Sequence, residues 1–148
     1  VSDVVERIEI GRPAAEVFAY LDDLRNQPEW QTGVLSVRVE DGDPTRVGTR
    51  VVEERRVGGG TRTVRYEVTE HVPGRGFAFR GGGGPLEVAA AITVEPLGDD
   101  RCAVTAEFRF GASGTARLML PMVRREAQRQ VPQDQARLRD VLEGRAGA

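Results

Sequence analysis

Lysine is missing altogether: all 21 basic residues of this 148-residue chain are arginine. A Gly-x-x-x-x-Gly-Lys loop needs lysine to reach phosphates, and Schiff-base enzymes need it as nucleophile, so both chemistries are excluded. Exposed positions accept either cation, and the bias reflects a GC-rich genome more readily than a functional demand. One cysteine, Cys102, leaves nothing to form an internal disulfide. With the one histidine, His71, it cannot assemble the usual Cys/His ligand sets of a protein-built zinc site. No carboxylate spacing advertises another metal centre, so neither metal nor cofactor is expected. The three serines, Ser2, Ser36 and Ser113, avoid any Gly-x-Ser-x-Gly elbow, which argues against a serine-histidine triad.

Other shortages bound the partners. Acids number 23, for a net charge of −2, and only eight residues are aromatic. Neither suits nucleic acid as the main partner. The longest apolar run, Val88 to Val94, has seven residues, against about 20 for a transmembrane helix. The stretch VSDVVERIEIG carries acids where a signal peptide carries bases. A cytoplasmic protein with a single domain over residues 1–148 and no transmembrane segment is expected, and 39% hydrophobic content suffices for its core.

What is present is periodic. Val4 to Ile10 ends in alternation and reads as a strand; Pro13 then opens a helix over 13–25, with Ala14, Val17, Phe18, Leu21 and Leu24 at helical spacing. Asn26 to Trp30 reads as a turn or second small helix. From Gly33 the period becomes two, through strands near 33–40, 48–57, 61–71 and around Phe77 and Phe79. The runs Gly58–Gly60 and Gly81–Gly84 read as hairpin turns. Leu86, Val88, Ala90, Ile92 and Val94 alternate through one further strand, and Cys102, Val104, Ala106, Phe108 and Phe110 through another. After Gly114 a helical period holds to Glu143, and Pro121 and Pro132 should kink that helix or end its first turn. Residues 115–148 hold seven arginines against four acids, and the rest of the chain 14 against 19, an asymmetry that reads as a solvated helix face.

Six or seven antiparallel strands with one apolar face need a cover, and only the last helix is long enough to supply it. The small inward residues Ala90, Cys102, Ala106 and Ala127 favour a pocket over a solid core. The order of elements, with Pro13-Ala-Ala-Glu-Val-Phe-Ala-Tyr-Leu-Asp-Asp, Pro28-Glu29-Trp30, Val47-Gly48-Thr49 and Ala136-Arg-Leu-Arg-Asp-Val-Leu-Glu143, resembles the START/Bet v 1-like (SRPBCC) superfamily. The match is to its bacterial polyketide cyclase/dehydrase-like branch, over residues 2–143. The resemblance implies an α+β helix-grip fold: a curved antiparallel sheet of six to seven strands wrapped around a long C-terminal helix. One or two short helices follow the first strand, and a deep apolar cavity lies between sheet and long helix. Trp30 matches a structural tryptophan that closes one end of the barrel.

Candidate ligand-binding residues follow from parity and helical arc. From the sheet come Tyr66, Phe77, Phe79, Val88, Ala90, Ala106, Phe108 and Phe110. The helix supplies Met119, Met122, Val123 and Glu126, with Ala127 and Gln130 in the same arc. The methionines suit an adaptable wall or simply fill the core. Glu126 is either a desolvated acid with raised pKa or a solvated partner of an arginine. Tyr66 bonds either a ligand carbonyl or another protein group. Tyr66 and Glu126, with an arginine from residues 50–56, are also the catalytic candidates. Residues 49–57 present Thr49, Val51, Glu53, Arg55 and Val57 on one face, or Arg50, Val52, Glu54 and Arg56; the first set is the more apolar. His71 shares parity with Glu67 and Thr69, the polar face, and reads as an exposed loop-edge residue rather than a catalytic base. The expected function is binding of a small hydrophobic or aromatic molecule, lipid- or polyketide-like. The alternatives are a polyketide aromatase/cyclase-type enzyme and a protein-interaction module with a vestigial cavity.

Overall fold

Alternation with period two generates seven strands: β1 (Val4–Ile10), β2 (Val34–Asp41), β3 (Arg50–Val57), β4 (Gly60–Val72), β5 (Gly76–Gly83), β6 (Leu86–Pro96) and β7 (Cys102–Ala112). A computed structural model describes residues 2–57 and 59–146 of the chain. The strands form one antiparallel sheet in the order β1-β7-β6-β5-β4-β3-β2. Consecutive strands from β2 to β7 pair as neighbours, and β1 closes against β7. Helices α1 (Ala14–Asp22) and α2 (Gln27–Trp30) follow β1, and α3 (Leu120–Ala146, 27 residues) ends the described chain. The seven-stranded sheet, the long final helix and the short helices after β1 together make the helix-grip fold.

Cross-strand register lines the inward residues up in rows. Val94 pairs with Val104, Ile92 with Ala106, Ala90 with Phe108 and Val88 with Phe110. On β3, Val51 pairs with Tyr66 and Glu53 with Val64, so the odd positions face inward. The densest packing, with Ile10, Val17, Leu24, Val68, Val104 and Leu138 among the most deeply buried, lies where α1 and the C-terminal part of α3 meet the sheet. Cys102 belongs to this core and is fully buried, and Trp30 is buried in α2. Glu143 fastens the end of α3 by accepting the Gly11 N–H at 2.8 Å.

Several local expectations change. The first helix stops at Asp22, because Asp23 is extended and its carboxylate accepts the Arg25 N–H at 3.2 Å, opening a 3-10 turn over Leu24–Asn26. Gly81 to Gly83 are strand residues of β5, and the hairpin turns only at Gly84-Pro85. A Cβ on Gly81 would sit 2.0 Å from the Arg65 carbonyl oxygen, so the glycine permits close strand approach. Gly58 lies outside the described residues; Gly59 is in a turn and Gly60 begins β4. Pro121 occupies the second position of α3, where a missing N–H costs nothing, and Pro132 lies inside the helix without ending it. His71 is half-buried, against expectation. A register shift between Val68 and Glu70 inverts the parity and sets it opposite Phe77, with Nε2 2.8 Å from Asp22 Oδ1. Among the described residues no helix is long and apolar enough to cross a membrane.

Candidate functional site

The inward rows lose burial together toward one end of the molecule. On β7, Cys102, Val104 and Ala106 are buried, whereas Phe108 and Phe110 are half-buried. On β6 the change falls between Ala90 and Val88, and on β5 between Phe77 and Phe79. Helix α3 repeats it: Leu142, Leu138 and Val131 are buried, Ala127 and Val123 half-buried. The helix packs chiefly on β1, β7 and α2. Asp3 secures it at the open end, accepting the Phe110 N–H at 2.8 Å and pairing with Arg124 at 3.0 Å.

Polar side chains interrupt three of these rows near the transition. Tyr66 stands between buried Val68 and half-buried Val64, and its hydroxyl donates to Gln27 Oε1 at 2.9 Å. Burial, and then the neighbouring charge of Glu53, push the phenol above its ordinary range. The hydroxyl therefore stays protonated and acts as a donor. Glu53 is only 4% exposed; it accepts Arg55 Nε at 2.8 Å. Arg55, half-buried, also reaches Gln31 Oε1 at 3.0 Å, which ties β3 to the end of α2. A buried carboxylate is tolerated only with such partners. On α3, Asp134 is 8% exposed and accepts the Thr32 N–H at 3.3 Å and Gln130 Nε2 at 2.9 Å. Burial pushes its carboxyl above the usual aspartate value.

Tyr66, Gln27, Glu53, Arg55 and Gln31 thus form a polar belt across the interior, with Asp134, Thr32 and Gln130 beside it. Aromatic surface adjoins it: the Tyr66 and Phe79 ring centroids are 4.6 Å apart, and Phe108 stacks on Phe110 at 6.3 Å. Such an arrangement can hold an apolar body against the rings and offer a polar end one cation, Arg55, beside the oxygen of Tyr66, whose one proton goes to Gln27.

The sheet residues expected from sequence meet on one face, with Tyr66, Phe77, Ala90 and Ala106 buried and Phe79, Val88, Phe108 and Phe110 half-buried. The helix residues divide. Val123 is half-buried, but Met119, Met122 and Glu126 are exposed. Of the two readings open for Glu126, the solvated partner of an arginine is the one found: it pairs with Arg129, whose hydrogen bond holds the carboxyl below its usual range. Tyr66 and Glu126 are not brought together as a catalytic pair; the acid beside Tyr66 is Glu53. The interior stripe of α3 runs Val123, Ala127, Val131, Asp134, Leu138, Leu142. Met122 and Glu126 each precede a stripe residue by one, about 100° around the helix. Two open depressions lie on the sheet. One, of about 610 Å³, is lined by Arg80, Gly81, Val88, Arg109 and Phe110 among others; the second, of about 210 Å³, includes Ala90 and Phe108. Neither is lined by Tyr66 or by α3, where the resemblance implied a deep cavity.

Gln27, Gln31 and Asp134 were missed from sequence. Asp134 did carry a signal, because it falls at stripe spacing between Val131 and Leu138. Gln27 and Gln31 sit at the two ends of a four-residue helix too short for a pattern. Among the described residues no cluster of His, Cys, Asp or Glu is arranged to hold a metal ion.

A family model described as "Polyketide cyclase / dehydrase and lipid transport" matches residues 2–143. A search of curated proteins finds no match. Among solved structures, the chain is similar to the Zhui aromatase/cyclase from Streptomyces sp. R1128, with TM-score 0.76 and 19% identity over 97% of this chain and 94% of that one. It is similar to a START superfamily protein from Mycobacterium smegmatis, with TM-score 0.80 and 14% identity over 95% of this chain and 97% of that one. It also matches the di-domain aromatase/cyclase BexL from the BE-7585A biosynthetic pathway, with TM-score 0.76 and 18% identity. The match takes in 95% of this chain but 46% of BexL, so the chain spans under half of that protein's length. At these identities the likeness is one of fold.

Proposed function

Because the chain belongs to the polyketide cyclase/dehydrase and lipid transport family, we propose that it binds a small hydrophobic or aromatic molecule in the open half between sheet and α3. The observation that carries this is the joint loss of burial beyond the polar belt. Phe79, Val88, Phe108 and Phe110 keep apolar surface exposed on one inward face, at a cost of roughly 25 cal/mol per Å². A ligand that covers them recovers that energy. The belt gives the ligand an orientation: a carbonyl, hydroxyl or carboxylate end meets Arg55 at the Tyr66 side of the belt, and the apolar body lies over the phenylalanines. A mostly apolar site with few convergent polar groups is the usual composition of such pockets.

Fluorescence titration with 8-anilinonaphthalene-1-sulfonate, an aromatic anion, tests this reading. Saturable one-to-one binding is expected, weakened about tenfold or more by Phe110→Ala and less by Tyr66→Phe. Absence of saturable binding, or equal affinity in Phe110→Ala, overturns it.

One observation favours a second reading, a polyketide cyclase-type enzyme. Tyr66, a proton donor, neighbours the buried carboxylate Glu53, and enolisation or dehydration needs a donor and an acceptor within reach of one substrate. On that reading Tyr66→Phe removes turnover of a poly-β-ketone while leaving its binding largely intact.

A further inference from the structure

The largest exposed apolar side chains are not spread evenly. Leu118 is 84% exposed, Met119 44% and Met122 62%, three within five residues at the junction of a 3-10 turn (Gly114–Met119) and α3. Isolated exposed apolar residues are ordinary, but a cluster of this kind marks a surface that meets something apolar.

The charges around it specify the partner. Residues 115–130 hold four arginines, Arg117, Arg124, Arg125 and Arg129, against one acid, Glu126. Arg124 is taken by Asp3, and Arg129 and Glu126 neutralise one another. Arg117 and Arg125 are exposed, and neither has an ion-pair partner among the described residues. Protruding Leu and Met side chains flanked by free guanidinium groups are what an amphipathic segment needs to lie on an anionic bilayer. The apolar side chains enter the headgroup boundary and the cations meet lipid phosphates. A neutral or cationic surface offers no use for Arg117 and Arg125.

We infer that the segment from Arg117 to Arg125 docks the protein, reversibly, on an anionic lipid surface. The same segment leads into the half-buried stretch of α3 at Val123, so docking brings the open half of the molecule close to the bilayer. This gives the proposed site a hydrophobic reservoir from which to draw its ligand. Only that purpose rests on the ligand reading; the docking stands on the exposed side chains and their charges.

Co-sedimentation of the full chain with phosphatidylcholine vesicles, with and without phosphatidylglycerol, tests the inference. Binding is expected only with phosphatidylglycerol and should fall at high salt. The double variants Leu118→Ser/Met122→Ser and Arg117→Gln/Arg125→Gln should each weaken it about tenfold or more. All four positions are exposed, and circular dichroism should match the parent. The arginine variant should still bind 8-anilinonaphthalene-1-sulfonate in solution, so failure of docking and failure of ligand binding are read separately. The inference is overturned if the parent stays in the supernatant, if neutral vesicles bind it equally, or if either variant sediments like the parent. It is also overturned if the patch is instead buried by a second copy, seen as a dimer that Leu118→Ser/Met122→Ser dissociates.

Discussion

At Asp134 a carboxylate occupies a position that helical spacing assigns to the core. Burial raises its pKa against the lowering effects of Gln130, Thr32 and Arg55. The unfolded chain keeps the ordinary aspartate value, so the folded state binds this proton more tightly. The resulting stabilisation is fully present below the ordinary value and is lost as pH rises through the raised one. Asp134→Asn keeps an oxygen to accept from Thr32 and Gln130 but has no charge to desolvate. The variant should lose this part of the pH dependence and be at least as stable as the parent near neutrality. Urea unfolding at a series of pH values measures both; an unchanged slope would contradict the assignment. The contrast with Glu126 shows how far single residues were legible. Both acids fall among apolar positions in the sequence, and only the phase of the helix distinguishes them. That phase is fixed by the buried stripe through Val131, Leu138 and Leu142, which the Met119 and Met122 spacing did not share. Tyr66 is legible because strand parity is strict, whereas for His71, beyond a bulge that no residue pattern reveals, the same parity points to the opposite face.

Among the elements, β5 joins sequence to site most directly. Its glycines suggested a loop because they lack side chains, yet that lack lets the strand pass close to Tyr66. A Cβ at Gly81 would lie 2.0 Å from Arg65 O and 2.5 Å from Tyr66 Cα, backbone atoms that cannot yield without moving β4. Gly81→Ala should therefore destabilise the fold by about 1–3 kcal/mol and displace the Tyr66 ring from Phe79. Thermal unfolding and the near-ultraviolet circular dichroism of the aromatic residues would record the two effects; a variant with parent-like melting and spectrum would refute the close approach. Strands β6 and β7 needed no such correction, since each alternates without interruption over a long run. The short helix α2 was harder to read. Its role, presenting Gln27 and Gln31 to β4 and β3, depends on partners distant in sequence.

For the molecule as a whole, the fold was readable because order and periodicity of elements survive local errors. The proposed site was readable only in part, since the burial of its residues depends on how completely two elements cover each other. Helix α3 covers β1 and β7 closely and leaves Phe79, Val88, Phe108 and Phe110 half-buried, a matter of distance that no residue pattern encodes. A nuclear magnetic resonance titration of the isotope-labelled chain with 8-anilinonaphthalene-1-sulfonate tests binding over the phenylalanines residue by residue. Saturable shifts should concentrate on the side chains of Phe79, Val88, Phe108 and Phe110 and on Tyr66 and Arg55, leaving Val104 and Leu138 unmoved. Shifts confined to Arg80, Ala89 and other outward positions of the sheet, or none that saturate, would rule out binding over the phenylalanines.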